Sequence, residues 1–166
     1  MSSFTRRLCW VSAVVLGLGL AAPAPLQADT AQSVLSAINA ARAKAGCGPL
    51  RLDARLTAAA RSHARAMAEE VLFGHRPGED GSRFSNRIKR QGYSFRTAAE
   101  NIAAGQRSVG QVVQSWLKST GHRRNILNCR LTETGIAMVY QPDDKPLRGS
   151  RHALRYYWVQ VFAAPT

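Results

Sequence analysis

Acidic residues are scarce in this chain: 10 Asp and Glu stand against 23 Lys and Arg in 166 residues, a formal charge of +13. That imbalance excludes an acidic disordered tail and directs attention to anionic partners, whether nucleic acid, membrane surface or envelope polymer. Cysteine is rarer still, at three residues, and no cluster of Cys and His has the close spacing of a structural zinc site. Aromatic residues make up 7% and are not interleaved with the basic ones, and no nucleic-acid recognition motif accompanies the charge. There is no internal repeat and no low-complexity segment. What is present, 45% apolar residues, is enough for one packed core, and the length suits one domain of the usual 100 to 200 residues or so.

One apolar run is long. Trp10 to Ala24 carries no charge, follows Arg6 and Arg7, and leads into Leu26-Gln27-Ala28, with a small residue where a signal peptidase cuts. A transmembrane anchor needs roughly 20 apolar residues, and this run is shorter and interrupted by Pro23. Residues 1–28 therefore read as a secretory signal and 29–166 as a single domain, secreted or periplasmic, with no transmembrane segment once the signal is removed. The adjacent arginines leave general and twin-arginine export both open. The mature part has 21 basic and 10 acidic residues, a net +11 on 138 residues. It keeps Cys47 and Cys129, for which an oxidising compartment predicts a disulfide. The bond would close a loop of about 80 residues, worth roughly 4 kcal/mol on the chain-entropy model; two buried free thiols are the alternative.

Along the mature chain, Thr30 is expected to cap a helix with Val34, Ala37, Ile38, Ala41 and Ala45 on its apolar face and Gly46 at its end, leaving Asn39 and Arg42 off the stripe. Asp53 caps a second helix with Leu56, Ala60, His63 and Met67 facing inward, where His63 reads as a hydrogen-bonded core residue. The stretch from Phe73 begins as an exposed loop rich in Gly, Pro and Asp; Phe84, Ile88 and Tyr93 mark a short helix packed on the body. Ala98 to Ala103 holds one carboxylate, Glu100, in an apolar run. Ser108 and Gln111 form a capping box ahead of a third amphipathic helix, with Val109, Val112, Val113, Trp116 and Leu117, expected to end at Gly121. Gly135 to Tyr140 and Leu154 to Ala163 then read as strands, the second apolar on both faces and so covered on both sides. Helices first and a small antiparallel sheet last predict an α+β layered domain.

Three ionisable residues beside turns or helix ends are candidates for chemistry: His75, Glu100 and His122. Two imidazoles and a carboxylate can hold a divalent ion with a position left for water, or can act as base, acid and orienting group. Their separations match no local metal motif. Ser119 and His122 would share a face if helix continued between them, the arrangement of a nucleophile and its base, but no third group or oxyanion-hole signature accompanies them.

Taken in order, Asn39-Ala40-Ala41-Arg42, Pro49-Leu50, Leu52-Asp53, His75 in its loop, Gly92-Tyr93, Glu100-Asn101-Ile102, Ser115-Trp116, Gly121-His122-Arg123, Asn125-Ile126-Leu127, Thr134-Gly135 and the closing Tyr157-Trp158-Val159-Gln160-Val161-Phe162 resemble the CAP superfamily of cysteine-rich secretory proteins, venom allergens and plant pathogenesis-related proteins, and its small secreted bacterial members in particular. The resemblance spans Ala31 to Phe162. It implies a three-layer α-β-α sandwich with a central antiparallel sheet and an open cavity lined by two histidines and two glutamates able to hold a divalent metal. His75, Glu100 and His122 match three of these; the second glutamate is replaced by Ser119, and Glu133 would serve only if the fold brought it near. Zinc binding is accordingly expected to be weak, with Ser119, Asn101 and Gln160 as further cavity-lining residues. Ala99 stands where the family usually has glycine, which would strain a backbone of positive φ.

The function expected is a monomeric, non-catalytic secreted binding module for an anionic envelope lipid or polymer, or for another secreted protein; the alternative is a metal-dependent or Ser/His hydrolase of the cell envelope. Export argues against nucleic acid. Arg83, Arg87, Lys89, Arg90, Arg96 and Arg107 cluster in sequence around Glu100, either as a solvated basic face or as a collar that draws anions to the cavity.

Overall fold

The structure, a computed structural model, describes residues 25–70, 73–75, 83–147 and 151–166. The apolar run read as the core of a signal lies outside the described residues. Helix α1 (Pro25–Lys44) starts with proline at its first position, where the missing N–H costs nothing. Thr30 is therefore interior to the helix, not its cap, and the cleavage point drawn before Asp29 falls in the first turns of α1. Gly46, at φ 75°, ends α1, with the Gly46 and Cys47 amides turning back to the carbonyls of Ala43 and Arg42. A two-residue strand, β1 (Arg51–Leu52), leads to α2 (Ala54–Glu69), where Asp53 caps as expected by accepting from the Arg55 and Leu56 amides. Leu56, Ala60, His63 and Met67 are all buried, on the period read from the sequence.

After the short α3 (Phe84–Arg90) comes β2 (Phe95–Ala104), a strand where the sequence reading saw only a carboxylate in an apolar run. Its alanines carry little strand propensity; pairing along its length with β4 (Tyr156–Pro165) is what makes it a strand. Ala99 lies in that extended backbone, paired with Phe162, so the absence of glycine there causes no strain. Ser108 caps α4 (Val109–Lys118) by accepting from the Gln111 amide, while the Gln111 side chain reaches back one residue further than in a standard capping box, to the Arg107 amide. Helix α4 stops at Lys118 because Ser119 is extended (ψ 123°), and α5 (Thr120–Ile126) begins at once. The expected stop at Gly121 is thus displaced: Gly121 and His122 belong to α5, and Ser119 stands at its N-cap, outside the helix.

The sheet has the order β1-β3-β4-β2, with β3 (Glu133–Tyr140) antiparallel to β4 and only the short β1 parallel to its neighbour. One face packs on α1, α4 and α5 through Ile38, Trp116, Ile126, Ile136, Trp158 and Phe162. The other packs on α2 and α3 through Leu56, Met67, Ile88, Ile102, Val159 and Val161. This is the α-β-α sandwich expected, and the residues of β4, apolar on both faces, fill both layers. Cys47 and Cys129 are joined, with Cα atoms 4.9 Å apart. No described helix is long and apolar enough to cross a membrane.

At one point the layers touch backbone to backbone. A Cβ on Gly135 would lie 2.0 Å from the Leu56 carbonyl carbon and 2.2 Å from the Thr57 nitrogen, so β3 admits the first turn of α2 only because residue 135 has no side chain. Gly135→Ala should destabilise the fold by about 3 kcal/mol or more, the upper end of overpacking costs. Urea denaturation followed by circular dichroism would measure it; a loss within error of zero would mean that α2 can lift off the sheet freely.

Candidate functional site

Strand β2 is an edge, and an edge strand presents unpaired carbonyls that must be satisfied. Two of them take side-chain donors from the helices above: Trp116 Nε1 donates to the Ile102 carbonyl at 3.2 Å and Asn125 Nδ2 to the Glu100 carbonyl at 3.3 Å. Asn125 also donates to Asn101 Oδ1 at 2.9 Å, and Asn101 Nδ2 donates to the His122 carbonyl at 3.2 Å. These bonds seat α5 along the middle of β2 and so bring His122 to the neighbourhood of Glu100.

Strand alternation separates the two residues of the Glu100-Asn101 pair. Asn101 turns into the α1/α4/α5 layer, fully buried, as does its cross-strand partner Gln160, whose Nε2 donates to Thr134 Oγ1. Neither is among the described residues that line the cleft. Glu100 turns to the α2/α3 face. Its carboxylate is 1% exposed and holds three neighbours: His75 Nδ1 lies 3.0 Å from Oε1, His63 Nε2 lies 3.6 Å from the same oxygen, and Arg87 Nη2 donates to Oε2 at 2.8 Å. Arg87 also reaches the His75 carbonyl through both terminal nitrogens, fixing the loop that carries the histidine.

His75 and Glu100 thus meet as expected, and His122 stands close enough to His75 to be influenced by it. Ser119 lies in the break between α4 and α5, half-buried. Glu133 does not supply the missing carboxylate: the Tyr93 hydroxyl donates to it and Arg51 pairs with it at 3.6 Å, on the side of the sheet where β1 lies. The site gains two residues that sequence reasoning left out. His63 is 1% exposed and turned toward the carboxylate. Arg87, read as part of a basic collar, is instead buried; its signal was the i, i+3, i+4 spacing of Phe84, Arg87 and Ile88, which puts the arginine on the apolar face of α3. The collar itself divides, because Arg83 lines the cleft, Arg96 binds the Pro165 carbonyl and Arg107 stands past the far end of β2.

Around His75 and Glu100 opens a cleft of about 560 Å³, walled by Phe84, Ala98 and Ala99 and edged by Arg83 and Asn125. Burial raises the Glu100 pKa, but His75, His63 and Arg87 together outweigh it and hold the carboxyl below its ordinary range. Burial lowers His122, helped by His75; its Nδ1 has no hydrogen-bond partner among the described residues. A divalent ion fits these residues poorly. Both Glu100 oxygens are taken, one by a guanidinium that would repel a second cation, and no described group of three or more Cys, His, Asp or Glu is arranged to hold a metal.

His63 is pushed down to about 4, mainly by burial and against the pull of Glu100, and neither of its ring nitrogens makes a hydrogen bond of normal geometry with a described residue, though the Gly74 backbone approaches. It is therefore neutral in the folded protein at pH 7. Below about 6.5 the unfolded chain takes up a proton here that the folded one does not, so stability falls as the pH drops from about 6.5 to about 4, by roughly 3 kcal/mol. Glu100, lowered in the fold, adds its loss at lower pH still. Denaturation midpoints measured between pH 7 and pH 4 should show this slope, and His63→Gln should remove most of it; an unchanged slope in the variant would assign the pH dependence elsewhere.

Residues 35–162 match the family model of the cysteine-rich secretory proteins, CAP. Protein YkwD of Bacillus subtilis is 40% identical over 108 residues, covering 65% of this chain and 42% of the relative. Membrane protein YlbC of the same organism is 30% identical over 113 residues, covering 68% of this chain and 32% of the relative. The chain thus spans less than half the length of these curated relatives. Among solved structures, an extracellular SCP-domain protein of Bacillus anthracis superposes with a TM-score of 0.70 at 25% identity, over 84% of this chain and 41% of that one. An outer surface protein of Borrelia burgdorferi superposes with a TM-score of 0.69 at 22% identity, over 81% of this chain and 92% of that one. With the family model matched over most of its length and the sandwich, edge strand and His-Glu cleft in place, this chain belongs to the cysteine-rich secretory protein family, CAP.

Proposed function

We propose that this CAP domain is a binding module, not an enzyme, and that its cleft receives an anionic amphiphile of the cell envelope, such as an anionic lipid, without a metal ion. The observation that carries this reading is the buried Glu100–Arg87 pair at 2.8 Å. Paired in this way, Glu100 presents no uncompensated negative charge to the cleft. Among the described residues, the donor left free for an anion at its rim is the Arg83 guanidinium, above apolar walls of Phe84, Ala98 and Ala99. No serine or cysteine is among the described residues that line the cleft, which supports binding over nucleophilic hydrolysis. The extracellular and surface character of the structural neighbours favours an envelope ligand.

The test uses short-chain phosphatidylglycerol against phosphatidylcholine in calorimetric titrations of the purified protein. Phosphatidylglycerol should bind more tightly, and Arg83→Ala should weaken it about tenfold, the loss of one charge-assisted hydrogen bond. Equal affinity for the two lipids, or no effect of the substitution, would overturn the ligand. Zinc titrated into the metal-free protein should show no uptake that depends on His75. Cleavage of a broad ester and peptide panel in excess zinc, abolished by His122→Ala, would make the protein a hydrolase instead.

A further inference from the structure

A second concavity, of about 430 Å³, opens at the far end of the sheet from residues on two segments: Gly105 and Arg107 beyond β2, and His152, Leu154, Arg155 and Tyr156 leading into β4. Arg107 and Arg155 are exposed, and neither is in an ion pair with a described carboxylate. Of the two acidic residues in the segment after β3, Asp143 is exposed and outside the lining, and Asp144 is buried and committed elsewhere: its Oδ2 accepts the Arg155 amide at 2.7 Å and the Tyr157 hydroxyl at 3.0 Å. The described lining of the concavity thus carries two arginines and no acidic residue.

Arg155 stands out for its backbone. Its φ is 62°, and it is the only residue other than glycine in the left-handed region among those described. The Tyr156 amide donates across it to the Leu154 carbonyl at 2.7 Å, which makes Arg155 the centre of a γ-turn of the strained, positive-φ kind. The Asp144 carboxylate and the Gln141 amide, which donates to the Arg155 carbonyl at 2.8 Å, hold this turn in place. Glycine would adopt the conformation without strain. An arginine here gives up stability that glycine would keep, and what it adds is a guanidinium at the mouth of the concavity. Beside it, Tyr156 lines the wall and Tyr140, 48% exposed, leans on it with ring centroids 4.8 Å apart.

We propose that this concavity is a binding site for an acidic polysaccharide: Arg155 and Arg107 grip its carboxylate, sulfate or phosphate groups, for which the guanidinium fork is suited, and the tyrosine pair offers an apolar face to a sugar ring. The two rings lean on each other at 44° instead of presenting a series of separate faces, which fits a sugar better than the stacked bases of a single-stranded nucleic acid. The site is independent of the cleft at Glu100.

The experiment titrates the full chain with oligogalacturonate at several salt concentrations. Affinity should fall as salt rises, and Arg155→Gly and Arg107→Ala should each weaken binding about tenfold or more. Arg155→Gly should at the same time leave Tm unchanged or raise it, which separates a lost contact from a damaged fold. Arg65→Ala, on the exposed face of α2, removes the same charge and should leave binding intact. Three results would overturn the proposal: no binding of oligogalacturonate, a loss in Arg65→Ala equal to that in the other two variants, or tighter binding of a single-stranded oligonucleotide of equal charge.

Discussion

Arg42 is 1% exposed, and its guanidinium donates to four carbonyls: Gly48 at 2.9 Å, Ile126 at 2.7 Å, Asn128 at 3.1 Å and Leu131 at 2.8 Å. No described carboxylate pairs with it. Its charge is balanced by carbonyl dipoles, among them the C-terminal ones of α5, where a cation is favoured. Burial still lowers its pKa, as expected for a cation taken out of water. The planar fork reaches these four carbonyls from three separate nitrogens, more acceptors than the three donors on a lysine's one nitrogen could serve. The Cys47–Cys129 disulfide crosses at the same place, so the end of α1 and the segment after α5 are joined covalently and through the guanidinium.

The position of the cleft follows from that junction. Helix α5 has only seven residues and would not hold its place by packing alone. Arg42 secures its C-terminal end, and the Asn125–Asn101 and Asn125–Glu100 bonds lay it along the edge of β2. The same bonds satisfy an edge that would otherwise invite another strand. Stability and site assembly are thus carried by one set of contacts. A neighbouring pair of residues divides the labour: Asn101 fastens α5 on one face of the sheet, and Glu100 gathers His63, His75 and Arg87 on the other.

Charge is distributed by the same logic. Ten carboxylates serve a strongly basic chain, and those the structure describes in detail are largely engaged in ion pairs or buried hydrogen bonds: Glu100 with Arg87, Glu133 with Tyr93 and Arg51, Asp53 at the start of α2 and Asp144 under Tyr157. Among the described residues, the carboxylate inside the cleft, Glu100, and the buried one beside the second concavity, Asp144, are both already engaged, while Arg83, Arg107 and Arg155 border the two openings. A net charge that in the sequence is a property of the whole chain becomes, in the fold, a property of particular places.

The sequence by itself determined the α+β class, the Asp53 and Ser108 caps, the inward face of α2, the last two strands, the disulfide partners and the meeting of His75 with Glu100. Periodicity, capping chemistry and the order of short motifs are local signals, and they survive in one dimension. Tertiary structure alone decided the rest. Strand β2 is a strand because β4 pairs with it, although Ala98, Ala99, Ala103 and Ala104 have little preference for one. Asn39 and Arg42 lie off the apolar stripe of α1, yet Arg42 is buried and Asn39 half-buried, because their partners are backbone groups at Leu50, at Gly48 and from Ile126 onward. Arg87 looks like one more surface cation until α3 packs its apolar face on the body and sets the guanidinium against Glu100. An apolar side chain announces its burial by its own chemistry; a buried polar one is intelligible only when the atom that satisfies it, often far along the chain, has been brought beside it.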